Sequence, residues 1–206
     1  MLKYRKHMQT RKDIKMKIIL ASQSPRRREL LETMGIKNYE VIVSKVEETM
    51  DNTLPVKEQV KQLSYRKSVS VWNQTQGDRI VIGSDTIVEK NNKIYGKPKD
   101  KKDAIKMLKE FSNSRVNIIT GIAVLIESNG IITKHIDCDL SEVYIKSITD
   151  EEIEKWLNTG NAWDKAGAFG VQCEFCVHID KIVGNYDAIL GLPTSMLYDF
   201  IKDYIN

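Results

Sequence analysis

Residues 17–35 read Lys17-Ile18-Ile19-Leu20-Ala21-Ser22-Gln23-Ser24-Pro25-Arg26-Arg27-Arg28-Glu29-Leu30-Leu31-Glu32-Thr33-Met34-Gly35. The apolar run over residues 17–21 predicts a short buried strand. Ser24-Pro25 then opens a helix, with Ser24 as N-cap and Pro25 at the first helical position. Leu30, Leu31 and Met34 form the apolar side of that helix, and Gly35 closes it. A strand running directly into a helix is the start of an α/β arrangement.

The same reading extends along the chain. Tyr39–Ser44 predicts a second strand, and Pro55 opens a helix to about Trp72, with Val60, Leu63, Val71 and Trp72 apolar. Arg79–Ser84 is a β-branched run that predicts a central strand. Ile87-Val88 and Ile94-Tyr95 flank Asn91-Asn92 as a hairpin. A helix follows Asp100, with Ala104, Ile105, Leu108 and Phe111 at helical spacing. Val116–Ile126 and Ile131–Ile136 flank Asn129-Gly130 as a second hairpin, and Val143–Ile145 is one more strand. Thr149 to Glu152 is a capping box for a helix bearing Ile153, Trp156 and Leu157, closed by Gly160. Residues 161–172 predict a loop, Phe175–Ile182 a strand, and Pro193 the start of a last helix with Leu197, Phe200, Ile201 and Tyr204. Interspersed strands and helices with two hairpins predict an α/β fold with a mixed sheet and flanking helices.

The composition is that of an ordinary folded protein, with 41% hydrophobic and 29% charged residues. No apolar run approaches the ~18–20 residues of a membrane span, and no secretory leader is expected at the N-terminus. Three cysteines argue for a reducing compartment, and so for a cytoplasmic protein, rather than a disulfide scaffold. Charge is uneven: residues 1–17 hold seven Lys or Arg against Asp13, a net +6, while the whole chain is +4, leaving −2 for the rest. The basic character thus belongs to an N-terminal extension, residues 1–16, ahead of one domain over residues 17–206. An upstream start or an expression remnant is as good a reading of that extension as a functional arm. A nucleic-acid binder carries its basic surface on the domain itself, so no nucleic-acid partner is expected.

Several residues break local rules in ways that suggest chemistry. Arg26, Arg27 and Arg28 occupy the first turn of a helix, where cations cost roughly 0.3–1 kcal/mol each. A bound anion offsets that cost, since amide N–H groups, the helix dipole and guanidinium forks all favour phosphate. The plainer alternative has these arginines splayed into solvent or paired with Glu29 and Glu32. Gly83-Ser84-Asp85-Thr86 stands where the central strand is expected to end, the edge at which ligands bind in open α/β sheets. Asp85 can there orient a water or hold a divalent metal, or simply cap a turn. Gly96-Lys97-Pro98 presents a lysine on a stiffened turn, and Lys67 is a further cation on the second helix, although spacing alone favours a solvated surface lysine at both positions. Glu47 and Glu48 are paired acids suited to a hard cation, or to solvent. In the small-residue loop Asp164–Gln172, Gln172 offers a donor and an acceptor to a base edge. Cys173-x-x-Cys176 with His178 is half a zinc site at most, and a packed strand is its plainer reading. The P-loop, HExxH, GxSxG and kinase signatures are absent.

The segments ASQSPRRRELLETMGI, GSDTIVEKNNKIYGKPKDKKDA, DKAGAFGVQ and YDAILGLP, in this order over residues 17–206, resemble the Maf family of nucleotide pyrophosphatases. The resemblance implies a fold like that of inosine triphosphate pyrophosphatases, with two lobes around a cleft. It implies metal-dependent (Mg or Mn) hydrolysis of a nucleoside triphosphate to the monophosphate and pyrophosphate. It makes Asp85 the catalytic acid, and gives base selection to Arg26, Thr86 and Gln172. It places Ser24, Arg27, Glu47, Lys67 and Lys97 in the cleft, with Glu47 and Asp85 as the metal-binding acids. The SDT form resembles the branch acting on dTTP and UTP, with modified pyrimidine nucleotides as a further class. The sequence departs from the family at Phe111–Val116, where LSGRxH is usual, and at Cys173, where Gly is usual. The expected partners are a small-molecule nucleotide and a second copy of the chain. The family's link to septum formation and cell-division arrest leaves a non-enzymatic, nucleic-acid-binding or regulatory protein as the alternative.

Overall fold

The computed structural model describes residues 16–205; of the expected N-terminal extension, residues 1–15 lie outside them, and Met16 packs against the main core. The chain runs β1 (Lys17–Leu20), α1 (Pro25–Thr33), β2 (Glu40–Val41), α2 (Val56–Trp72), β3 (Arg79–Lys90), β4 (Lys93–Tyr95), α3 (Lys101–Phe111), β5 (Ser114–Ser128), β6 (Ile131–Ile145), α4 (Asp150–Asn158), β7 (Ile179–Val183), α5 (Tyr186–Leu190) and α6 (Thr194–Ile201). The strands form one mixed sheet in the order β2-β1-β3-β5-β6-β7, with β4 also paired to β3. β1 is parallel to β2 and β3, and the other pairs are antiparallel. Helices cover both faces, as the interspersed pattern requires.

Alternation along β3 and β5 sorts the core. Ile80, Ile82, Val88, Ile118, Ile122 and Val124 face the larger core, shared with Leu31 of α1, Phe111 of α3, Trp156 of α4 and Leu197 of α6. Val81, Ile87, Ile119 and Leu125 face the opposite side, where Val60 and Val71 of α2 cover them. Glycine brings α2 unusually close. A Cβ on Gly121 would lie 2.6 Å from the Val60 carbonyl oxygen, and one on Gly83 would lie 2.7 Å from the Ser68 amide nitrogen. Only residues without side chains allow that approach.

Both hairpins form as the turn residues dictate: Asn91 and Asn92 have φ of 54° and 62°, and Asn129 and Gly130 have 52° and 78°. The Thr149–Glu152 capping box is complete. Four expectations need correction. β3 does not end at Ser84, because Asp85 through Glu89 stay paired to β5. Ile131–Ile136 and Val143–Ile145 are one strand, because β5 offers a continuous partner over its whole length. The expected strand Tyr39–Ser44 shrinks to Glu40–Val41, at the sheet's edge. Residues 174–178 form a 3-10 turn, and only Ile179–Val183 is strand. The short helix α5 is an element the sequence reading did not include. None of the described helices is long and apolar enough to cross a membrane.

Candidate active site

The cleft opens because β1 stops early. Its last pair with β3 is Leu20 to Ile82, and β4 joins the same edge of β3 only at Val88. Between these points neither strand covers that edge. The ligand edge expected at the end of β3 is therefore at the end of β1, and Asp85 and Thr86 sit within β3 itself. A cavity of about 860 Å³ lies along this edge, within the range of small-molecule and cofactor sites. The α1 N-terminus, α2 and residues 43–50, Lys97, and the loop 164–173 enclose it.

Successive residues on a strand point to opposite faces, so Asp85 and Thr86 serve different sides of the cleft. Asp85, with its side chain 12% exposed, faces α2, where its Oδ1 accepts from the buried Lys67 Nζ at 2.5 Å. Lys67 also donates to Glu48 Oε1 at 2.7 Å. That hydrogen bond holds the Glu48 carboxyl below its ordinary pKa, against the opposing effect of partial burial. One ammonium thus links two carboxylates, and Asp85 Oδ2 has no protein donor among the described residues.

Thr86 faces the larger core. The Arg27 guanidinium lies over it, donating from Nε to the Gly191 carbonyl at 2.8 Å and from one terminal nitrogen to Ser22 Oγ at 2.9 Å. Its other terminal nitrogen stands 3.5 Å from Thr86 Oγ1. Burial lowers the Arg27 pKa, partly offset by the charge of Asp85. Arg26 pairs with Asp164 at 3.0 Å. Gly191 has φ of +117°, a conformation that side chains rarely adopt. The Ser84 hydroxyl lies between the Gly191 carbonyl and that of Gly121, 2.8 Å from each. The Asp164–Gln172 loop is tied down by Gly167 N–H to the Gly96 carbonyl at 2.9 Å. Trp156 Nε1 donates to the Ala168 carbonyl at 2.8 Å.

The structure gathers Ser24, Arg26, Arg27, Lys67, Asp85, Thr86, Lys97 and Gln172 around this one cavity. Glu47 is the exception: Glu48 lines the cleft and Glu47 does not. Neighbouring residues of a paired-acid segment point different ways, and sequence alone does not say which turns inward. Arg28 is also outside, bonded to the Gln23 carbonyl. Ser24 occupies the N-cap position but makes no side-chain capping bond, and the first turn of α1 carries no acid. Pro25 has no N–H and the Arg28 N–H goes to the Ser24 carbonyl, so the Arg26 and Arg27 amides are left for another acceptor, as at anion sites. Among the described residues no group of three or more His, Cys, Asp or Glu side chains could hold a metal ion, and Cys173 and Cys176 are free thiols. Sequence reasoning missed Ser22, Thr120 and Gly191. The positive φ of a glycine after a short helix was the one available signal, and it required knowing that α5 exists.

The model of a family described as Maf-like protein matches residues 17–204. The chain is 43% identical over 190 residues to a dTTP/UTP pyrophosphatase of Alkaliphilus metalliredigens, covering 92% of this chain and 97% of that protein. It is 41% identical over 191 residues to one of Alkaliphilus oremlandii, covering 92% and 96%. A solved nucleoside-triphosphatase / dITP/XTP pyrophosphatase from Mycobacterium abscessus aligns with a TM-score of 0.39 at 13% identity, over 65% of this chain and 76% of that one.

Proposed function

This chain belongs to the Maf family, and on that premise we propose that it hydrolyses dTTP and UTP to the nucleoside monophosphate and pyrophosphate, with Asp85 activating the attacking water. The relatives' names support nucleoside triphosphate hydrolysis. One observation carries the finer reading: the cationic start of α1 and the buried Asp85–Lys67 pair border a single cavity.

The triphosphate lies along the free edge of β3. The uncapped first turn of α1, Arg27 and Lys97 bind phosphate oxygens through amide N–H groups, a guanidinium and an ammonium. Lys67 fixes Asp85 through Oδ1 and leaves Oδ2 to accept a proton from water. The water oxygen bonds to the α-phosphorus, the bond to the bridging oxygen breaks, and pyrophosphate departs. Positioning and charge stabilisation supply most of the rate. Two neighbouring carboxylates joined through Lys67 form an oxygen donor set that suits a hard divalent ion such as Mg or Mn. Asp85 and Glu48 would hold it, Glu48 in the place that the sequence reading gave Glu47, and it would neutralise phosphate charge. A flat base lies on the other side of β3, beside Thr86, Val88, Ile118, Phe169 and Gln172, with Arg26 at the rim. A cytoplasmic location and a homodimer accompany this reading.

A panel of nucleoside triphosphates assayed with Mg²⁺ or Mn²⁺ tests it. UTP and dTTP should yield monophosphate and pyrophosphate in equal amounts, ahead of CTP and the purine nucleotides. Release of inorganic phosphate with the diphosphate would contradict it.

A further inference from the structure

We propose that Thr120 is a positioning residue that fixes the hydroxyl of Thr86 as a hydrogen-bond acceptor toward the nucleotide, and so helps select an imide-bearing pyrimidine over cytosine. The inference rests on the nucleotide-hydrolase reading above.

It follows from counting protons. Thr120 is fully buried on β5, directly opposite Thr86 on β3. Its Oγ1 lies 2.7 Å from the carbonyl oxygen of Ala188 in α5 and 3.0 Å from Thr86 Oγ1. A carbonyl only accepts, and a threonine hydroxyl has one proton. The Ala188 carbonyl already accepts the Gly191 N–H at 3.0 Å, but two oxygens 2.7 Å apart repel unless a proton lies between them, and only Thr120 can supply it, so the Thr120 proton goes to Ala188. The 3.0 Å contact is then satisfied only if Thr86 donates to Thr120. Arg27, a donor only, stands on the other side of Thr86 Oγ1. Thr86 has no proton left for a ligand and offers the cleft a lone pair.

That lone pair lies on the face of β3 opposite Asp85, where Val88, Ile118 and Phe169 line an apolar slot. A flat ring there meets an acceptor. Uracil and thymine carry an N–H at ring position 3, whereas cytosine carries a lone pair at that position. The first pairs with Thr86 and the second is repelled. The discrimination is set by a hydroxyl that touches no substrate. It also gives a role to the segment YDAILGLP, whose Ala188 carbonyl anchors the relay and whose Gly191 carbonyl holds Arg27.

The test compares kcat/KM for UTP and CTP in the wild type, Thr120→Val and Thr120→Ser. Thr120→Val removes the acceptor for the Thr86 proton, so Thr86 can turn and donate to cytosine. The UTP:CTP ratio should fall about tenfold, a change of roughly 1.4 kcal/mol in discrimination, while Thr120→Ser keeps it. An unchanged ratio in a folded Thr120→Val enzyme overturns the proposal. Neutron diffraction of the wild type after deuterium exchange tests it without any variant. Deuterium on Thr86 Oγ1 directed at Thr120 is expected, and deuterium on Thr120 directed at Thr86 overturns it. A wild type that cleaves neither UTP nor dTTP would instead refute the substrate reading, leaving the neutron result as the test of the proton arrangement.

Discussion

Asp85→Asn is expected to lower pyrophosphate release from UTP by at least about 10²-fold, the lower range for loss of a general base. Asparagine keeps the shape of the side chain, and its carbonyl oxygen can still accept from Lys67, which retains Glu48 as a second partner. The thermal midpoint should therefore stay close to that of the wild type. The loss should appear in kcat far more than in KM, because the phosphate-binding groups on α1 and at Lys97 are untouched. Release near the wild-type rate from a folded variant would remove Asp85 from the mechanism.

Lys67→Met should damage both stability and turnover. Lys67 and Asp85 are a nearly buried pair, with side chains 9% and 12% exposed. Removing one partner leaves the other's charge uncompensated, a loss of about 3–5 kcal/mol in closed interiors. Water in the cleft lessens this, so about 3 kcal/mol is expected in urea unfolding. Turnover should fall because Asp85 loses the contact that orients it. A third readout comes from Glu48, whose carboxyl is held low by the same ammonium. In the wild type, the stabilising link between Glu48 and Lys67 is fully present above the ordinary glutamate range and is lost as pH falls through the lowered pKa. In Lys67→Met the Glu48 pKa should rise toward its ordinary value, as an NMR titration would show. A variant with unchanged urea midpoint and turnover would contradict the role given to this lysine.

Local signals carried much of the fold. The Asn91-Asn92 and Asn129-Gly130 turns, the Thr149 capping box and the apolar stripe of α3 are properties of a few adjacent residues, and all formed as expected. What sequence did not reveal depends on distant partners. β3 continues past Ser84 because Asp85 pairs with Gly121, thirty-six positions away, and β6 stays whole because β5 runs unbroken beside it. The site divides the same way. The arginine cluster announced itself by violating helix electrostatics, and the structure turns Arg26 and Arg27, though not Arg28, into the cleft. The choice between Glu47 and Glu48 hung on a side-chain direction in an irregular segment. Lys67 read as a solvated helical lysine because nothing local shows that Gly83 and Gly121 let α2 sit low on the sheet. Thr120 is one threonine in a β-rich run, and its importance lies wholly in what stands opposite.

The most direct test of the central claim, that water held by Asp85 attacks the α-phosphorus, is hydrolysis of UTP in ¹⁸O-labelled water with mass analysis of both products. The account predicts one labelled oxygen in the monophosphate and none in pyrophosphate. Label in pyrophosphate would place the attack on the β-phosphorus and contradict it.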